Sequence, residues 1–446
     1  MAKVRVRSAS WLLIARILTV GFSFPLNILL ARVLGASGKG VLSLVTTGSG
    51  LVVTMLGIGL PSAVTFMSAR DEVGPRDVLK LGLVMSAIAG GLAVLVSALG
   101  APWVAHAFFK TDNTFVVWLT VAIIPAATFT GFATSLLFGL GRIKEASLVT
   151  LGNIGGQLLV LSVLASLGDM GQRTALIALL SISIVIAVVL AVRVFTLPDH
   201  VGPKYSPLKL GRAGLRFGFM SWIGGAMQSL ALRQDYMMLG FFANPAAVGV
   251  YSVASSLAEL SWYIPSSAYG VLFPKASSEG PEFAPMIAKY TRMLLWMTAV
   301  ISLVVFVVSI PLIPIVFGKE FSGAIVPLAL LGPGILMSVV GMVPSAFLSG
   351  IGKPETGAVS STANLASNVL VNLALMPAYG IKGAAVGSSV SYTAGAFVTV
   401  YYFLKYTDIS LSELLVLRRA DVVEGVMLAR QLVAERLTRR GTDADA

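Results

Sequence analysis

The chain has 446 residues, 56% hydrophobic and 12% charged, with a formal net charge of +12, two histidines and no cysteine. Soluble domains carry about a quarter charged residues, whereas about 250 apolar residues in long blocks supply on the order of a dozen helical crossings at roughly 20 residues each. That excludes a soluble enzyme, a disordered chain and a single-pass anchor. It also argues against an outer-membrane barrel, whose strands alternate over about ten residues, and leaves no thiolate for catalysis, disulfides or metal.

Hydropathy places twelve crossings, at 10–34, 39–65, 80–105, 114–138, 146–167, 173–194, 214–240, 246–270, 288–314, 323–349, 356–378 and 382–404. Lys3, Arg5 and Arg7 precede an apolar run longer than an export-signal core, so that run reads as the first span. Pro198, Pro203 and Pro207 punctuate the longest internal connection and favour a semi-rigid linker. Beyond residue 405 the chain turns polar. Leu414, Leu415 and Leu417 permit a short amphipathic helix there, against the plainer reading of a solvated tail. The basic residues flank the spans: 24 fall on the side of the N-terminus and 5, Lys39 and Lys110 among them, on the other. This bias puts both termini in the cytoplasm and assigns the positive charge to membrane topology, with no nucleic-acid partner.

The halves resemble one another. Leu137 to Lys144 aligns with Leu348 to Glu355 at a separation of 211 residues, which also carries Asn153 onto Asn364, and Gly40 to Ser43 aligns with Gly249 to Ser252 at 209. Six spans return the chain to its starting side, so such units are related by an axis along the membrane normal. The expected fold class is therefore an all-α polytopic membrane protein: twelve transmembrane helices in two pseudo-symmetric six-helix lobes around a central cavity. Its divisions are an N-terminal lobe at 1–200, a linker at 201–212, a C-terminal lobe at 213–405 and a cytoplasmic tail at 406–446.

Ionised groups inside spans are costly facing lipid, so Arg16, Arg32, Arg233, Asp235 and Glu259 are expected to face the lobe interior, a wet cavity or the headgroups. Residues two apart on a helix diverge by about 200 degrees, so one of Arg233 and Asp235 should meet the cavity while the other anchors a neighbouring helix. Arginine forks suit a diphosphate, and a structural ion pair with Arg16 or Glu259 is the competing reading. Arg32, near a span end, is expected to snorkel. Asn153 and Asn364 read as helix-to-helix glue, and Pro25 and Pro265 as bends. Gly139-Leu-Gly141 and Gly350-Ile-Gly352 lack the strand and phosphate loop of a nucleotide site, so no nucleotide cofactor is expected.

The runs Ile28 to Ser43, Arg233 to Phe242 and Gly350 to Pro354, with Asn364, Asn372, Pro377 and Gly380, resemble the polysaccharide biosynthesis (O-antigen repeat-unit) flippases of the multidrug, oligosaccharidyl-lipid and polysaccharide exporter superfamily. The resemblance covers residues 5–405. It implies a V-shaped pair of lobes in a prokaryotic cytoplasmic membrane, no covalent chemistry and no cofactor. Its implied substrate is a polyprenyl-linked glycan lipid, moved between leaflets by alternating access. Arg233 and Arg16 then become substrate-binding residues, Asp235 and Glu259 gating or coupling residues, and Arg32, Asn153, Asn364, Pro25 and Pro265 structural ones. Membrane lipids, protons or sodium, and polysaccharide assembly enzymes are the implied partners. A cation-coupled drug or metabolite antiporter of the same superfamily, marked by an acidic cavity, and a non-transporting scaffold, marked by closed ion pairs, are the alternatives.

Overall fold

The structure is a computed structural model that describes residues 2–168, 170–198, 206–418 and 421. It is all-α. The helices are α1 (Ala2–Gly57), α2 (Leu60–Ala69), α3 (Pro75–Phe109), α4 (Phe115–Gly139), α5 (Ile143–Ser166), α6 (Gln172–Phe195), α7 (Pro207–Phe242), α8 (Pro245–Glu259), α9 (Tyr263–Glu279), α10 (Ala284–Leu312), α11 (Ile325–Gly350), α12 (Glu355–Tyr379), α13 (Ile381–Lys405) and α14 (Leu411–Leu415). Helix fills most of every segment that hydropathy marks as a crossing, with the 39–65 segment broken at Ile58 and Gly59 between α1 and α2. Among the described residues, seven helical stretches are long and apolar enough to span a membrane, which makes the chain polytopic.

Local chemistry sets the boundaries. Proline stands at the start of α2, α3 and α8, where its missing N–H costs nothing, and the Asn244 side chain caps α8 by accepting from the Ala247 amide at 2.9 Å. Within α1 the backbone breaks at Gly35, with φ 67° and ψ −176°. The Lys39 amine reaches the side-chain oxygen of Asn27 at 2.7 Å. On a straight helix those residues would lie about 18 Å apart. The chain therefore reverses at Gly35. Pro25, expected to bend this region, lies inside continuous helix. Pro265 does mark an interruption, standing at the start of α9 just after the tight turn Leu260–Trp262.

The aligned segments have the same backbone. In one, the Arg142 amide bonds the Leu137 carbonyl at 2.8 Å and Gly141 has φ 69°; in the other, Lys353 bonds Leu348 at 2.9 Å and Gly352 has φ 79°. Both are helix ends closed through a left-handed glycine. Gly40 and Gly249 face each other. A Cβ on Gly40 would lie 2.9 Å from the Gly249 nitrogen, and one on Gly249 would lie 3.1 Å from the Gly40 nitrogen. The Gly40 Cβ would also strike the Pro245 carbonyl and the Gly249 Cβ the Ala36 carbonyl. A contact in which i meets j and j meets i is the signature of a two-fold relation.

Three buried clusters describe the packing. One draws on both halves, from Leu26 and Val45 to Leu239, Tyr251, Phe321 and Tyr392, and gathers the helix ends near Gly35, Lys110, Asn244 and Gly318. A second holds only residues between Leu60 and Leu210, and a third only residues between Leu272 and Leu414, both at the opposite helix ends. The halves thus share a core at one end and keep separate cores at the other.

Two boundaries differ from expectation. Helix α7 begins at Pro207, inside the expected 201–212 linker, and Leu210 is buried in the second cluster, so the start of α7 packs with the first half; residues 199–205 lie outside the described residues. Of the tail, α14 and Asp421 are described, whereas 419–420 and 422–446 are not. The described part is docked rather than solvated. Arg292 on α10 pairs with Asp421 at 2.5 and 2.9 Å and donates to the Glu413 carbonyl at 2.8 Å, while Leu414 is buried.

Candidate functional site

A cavity of about 470 Å³ lies between the two arms of α1 and helices α7 and α8. Asn27, Ser43, Thr46, Ser229 and Ser252 line it, and Arg233 is the one charged side chain among its lining residues. The Arg233 side chain is 42% exposed and grips Glu259 with two nitrogens, at 3.1 and 3.4 Å. Glu259 ends α8 where the helix tightens, which swings its carboxylate toward α7.

Asp235 points elsewhere. It is 3% exposed and accepts from the Tyr251 hydroxyl at 2.6 Å, the Ser388 hydroxyl at 3.2 Å and the Tyr236 amide at 2.9 Å, tying α7 to α8 and α13. A carboxylate saturated by short donors in a dry core acts as an anchor. The two residues thus diverge around α7, one to the cavity and one to the core.

The remaining expected site residues do not all converge. Arg16 lies on α1, and its side chain is outside the described residues. The exposed Arg32 guanidinium donates to the Val316 carbonyl at 2.7 Å and to the Ile315 carbonyl, in the wider helical turn Ile313–Phe317 that follows α10 in the other half of the chain. Lys110 does likewise, bonding the Phe241 carbonyl at the end of α7 at 2.8 Å. Cations on helix C-terminal carbonyls satisfy orphan acceptors and the helix dipole together. Both clamps lie where the two halves share their core.

Asn153 accepts from Gln157 within its own helix at 2.6 Å and has no hydrogen-bond partner on another helix among the described residues. Asn364 lines a separate cavity inside the C-terminal half. The glue is Asn368, which accepts from Gln234 of α7 at 2.8 Å and donates to Ser391 of α13 at 3.1 Å. Asn372 donates to the same oxygen at 2.5 Å. The spacing Asn364, Asn368, Asn372 is one helical face and was the available signal. Lys39, counted in sequence among the loop cations, is instead 2% exposed and holds Asn27 against the cavity. Its placement follows from the reversal at Gly35, which brings it back along the first arm.

Comparison with known proteins agrees with this architecture. The model of the family described as polysaccharide biosynthesis protein matches residues 6–279, more than half of the chain. The chain belongs to that family. It is 26% identical over 415 residues to the probable low-salt glycan biosynthesis flippase Agl15 of Haloferax volcanii, covering 90% of this chain and 84% of that one. Among solved structures, the lipid II flippase MurJ in an inward closed conformation superposes with a TM-score of 0.73 at 14% identity, covering 98% of this chain and 99% of that one. An inward-facing multidrug resistance MATE family transporter of the MOP superfamily gives 0.63 at 15% identity, covering 87% and 94%. This family member is accordingly a multi-pass membrane protein that shares the fold of those two solved structures.

Proposed function

We propose that the protein is a flippase carrying a polyprenyl-phosphate- or diphosphate-linked oligosaccharide from the inner to the outer leaflet of a prokaryotic cytoplasmic membrane. In this reading the helices form twelve crossings in two lobes, and the tail and both termini are cytoplasmic. The excess of basic residues on one side supports that orientation. The end with separate cores then faces the cytoplasm, where α7 still touches the first half through Gly218 and Trp222, and the end joined by Arg32 and Lys110 faces out.

The observation that carries the reading is Arg233, a half-exposed guanidinium and the sole charge among the lining residues of the cavity between the halves. An acidic wall would fit a cationic drug; this wall fits an anion. Because Glu259 already occupies the fork, an entering phosphate has to exchange with that carboxylate. Freed, Glu259 becomes able to take a proton, which links the substrate to a gradient through one side chain. Asp235 holds α7 to α8 and α13 while the partner changes. Arg16 on α1 is a second candidate cation for the headgroup, and assembly enzymes would supply the glycan lipid. The polyprenyl chain stays in lipid, since each methylene moved into water costs about 0.8 kcal/mol. Closure of the cytoplasmic end and release of the two clamps then exposes the headgroup outward, with no covalent change.

Time-resolved leaflet exposure of polyprenyl-diphosphate glycans in proteoliposomes tests this. Wild type should expose at least one glycan lipid, and Arg233→Ala should slow it by on the order of 10- to 100-fold, the worth of a charge-assisted hydrogen bond. Equal rates in protein-free and protein-loaded vesicles across the panel, with proton and sodium gradients imposed, would overturn the proposal.

A further inference from the structure

The C-terminal half contains a cavity that the charge-exchange reading does not use. It encloses about 1100 Å³ among α7, α9, α11, α12 and α13, at the upper limit of the roughly 300–1,000 Å³ usual for small-molecule sites. Its lining is mostly apolar, with a polar and aromatic set inserted in it: Ser345, Ser361, Asn364 and Gln228 stand with the rings of Trp262 and Tyr269. Glu355, at the start of α12, is the one charged residue among them.

Several of its polar groups are already committed. Ser361 donates to Gln228 at 3.2 Å, closing the wall between α12 and α7. Thr399 donates to Ser360, which donates to the Gly395 carbonyl, and Trp262 donates to Ser338 at 2.6 Å. Asn364 differs. It is 8% exposed, and its side-chain oxygen has no donor among the described residues. An amide oxygen buried without a donor is a cost that folding does not repay.

We infer that this cavity binds the uncharged saccharide portion of the translocated lipid, with the Asn364 amide, which can turn its oxygen or its nitrogen to the cavity, hydrogen-bonding a sugar hydroxyl. The inference rests on the flippase reading and assigns its glycan a place. A neutral saccharide, with hydroxyls at its edge and apolar ring faces, matches a wall that is apolar with polar groups set into it. Hydroxyls and amides offer donors and acceptors in both directions, and the aromatic faces suit the apolar face of a pyranose. An acyl chain would leave the Asn364 amide oxygen unpaired, and Glu355 disfavours an anion. Leu232 lines both cavities, so a phosphate at Arg233 and a sugar at Asn364 would sit on either side of one residue.

The test uses the full-length protein in nanodiscs and two probes: undecaprenyl diphosphate, bare and carrying a panel of neutral di- to pentasaccharides. Wild type should bind at least one glycosylated lipid on the order of tenfold more tightly than the bare lipid. Asn364→Leu should bring that ratio to about one while binding the bare lipid normally. Its unliganded melting temperature should be no lower than wild type, because a structural amide would destabilise on removal whereas an unpaired one does not. Asn364→Ala, which adds no bulk, carries the same readout if the leucine variant does not fold. An unchanged ratio in both variants, or no glycan preference in wild type, overturns the sugar site. If bare lipid still binds and Arg233→Ala weakens it, the flippase reading survives; binding of neither lipid overturns both.

Discussion

At 137–142 and 348–353 the two halves make the same turn, with the same hydrogen bonds and a left-handed glycine at the same step, yet the helices leaving the two turns are chemically unlike. In the first half Asn153 spends its side chain on Gln157 one helical turn away. In the second, Asn364 opens onto a cavity and Asn368 ties three helices together. The second half also holds the Arg233 and Glu259 pair and the buried Asp235. Repetition thus preserves the backbone of the turn, while the side-chain partners that follow it differ between the halves.

The reciprocal Gly40 and Gly249 contact is where that shared backbone can be broken. Gly40→Leu and Gly249→Leu should each cost on the order of 3 kcal/mol or more, because the added atoms meet backbone of the other half, which cannot move aside as a flexible side chain could. Gly50→Ala, on the same arm of α1 with open space around it, should be neutral or gain up to about 1 kcal/mol. Thermal melting and monodispersity in detergent separate the cases. Similar melting points for Gly40→Leu and Gly50→Ala would remove the pseudo-two-fold contact from the account.

The clamps come next. Removing the Arg32 guanidinium frees the carbonyls of Ile315 and Val316, and a charged hydrogen bond is worth about 1.5–3 kcal/mol, so Arg32→Ala should shift the inward to outward equilibrium by at least tenfold. With no native cysteine, introduced cysteine pairs across the shared end can report distances without background. An unchanged distance distribution would make Arg32 a structural cap and nothing more.

Much of this was legible in sequence, and the parts that were not share a cause. Apolar length marked where helix would lie, and the spacing of Arg233 and Asp235 separated their directions. Pro25 drew attention as a bend, but a proline can sit within continuous helix, whereas Gly35 reverses the chain through a φ that other residues rarely adopt. The crossings at 10–34 and 39–65 already place a turn between the two arms, but the contact of Lys39 with Asn27 depends on how those arms pack. The asparagines show a second limit: a sequence repeat identifies equivalent backbone positions, and hydrogen-bond partners depend on the neighbouring helix. For Asn364 that neighbour is a cavity.

Between the halves, the Arg233 and Glu259 pair should matter to transport far more than to stability. Both side chains are more than a third exposed or nearly so, at 42% and 33%, so Glu259→Gln should change folding by less than about 1 kcal/mol. Transport should lose its dependence on an imposed proton gradient in the same variant, as read by leaflet exposure at matched reconstitution. A gradient response equal to wild type would remove Glu259 from the coupling role and leave it as a structural partner.

The smallest effect belongs to the tail. The side-chain hydrogen bonds from Arg292 hold the Asp421 carboxyl below its ordinary range, while burial opposes them less strongly. A carboxylate depressed in the folded state contributes stability that is present above its unfolded pKa and lost as pH falls through the folded one. The docked tail should therefore be insensitive to pH through neutrality and loosen only below about 4, the ordinary aspartate value. Asp421→Asn should produce the loosening at neutral pH, because the amide cannot return the fork's two charge-assisted bonds. Hydrogen exchange at α14 reports it directly: faster exchange there in Asp421→Asn, with α10 and the helices around the Asn364 cavity unchanged, is the expected pattern. Exchange that accelerates across the whole C-terminal half would instead make the tail part of that half's core, and the partition between a rigid lobe and a docked appendage would have to be redrawn.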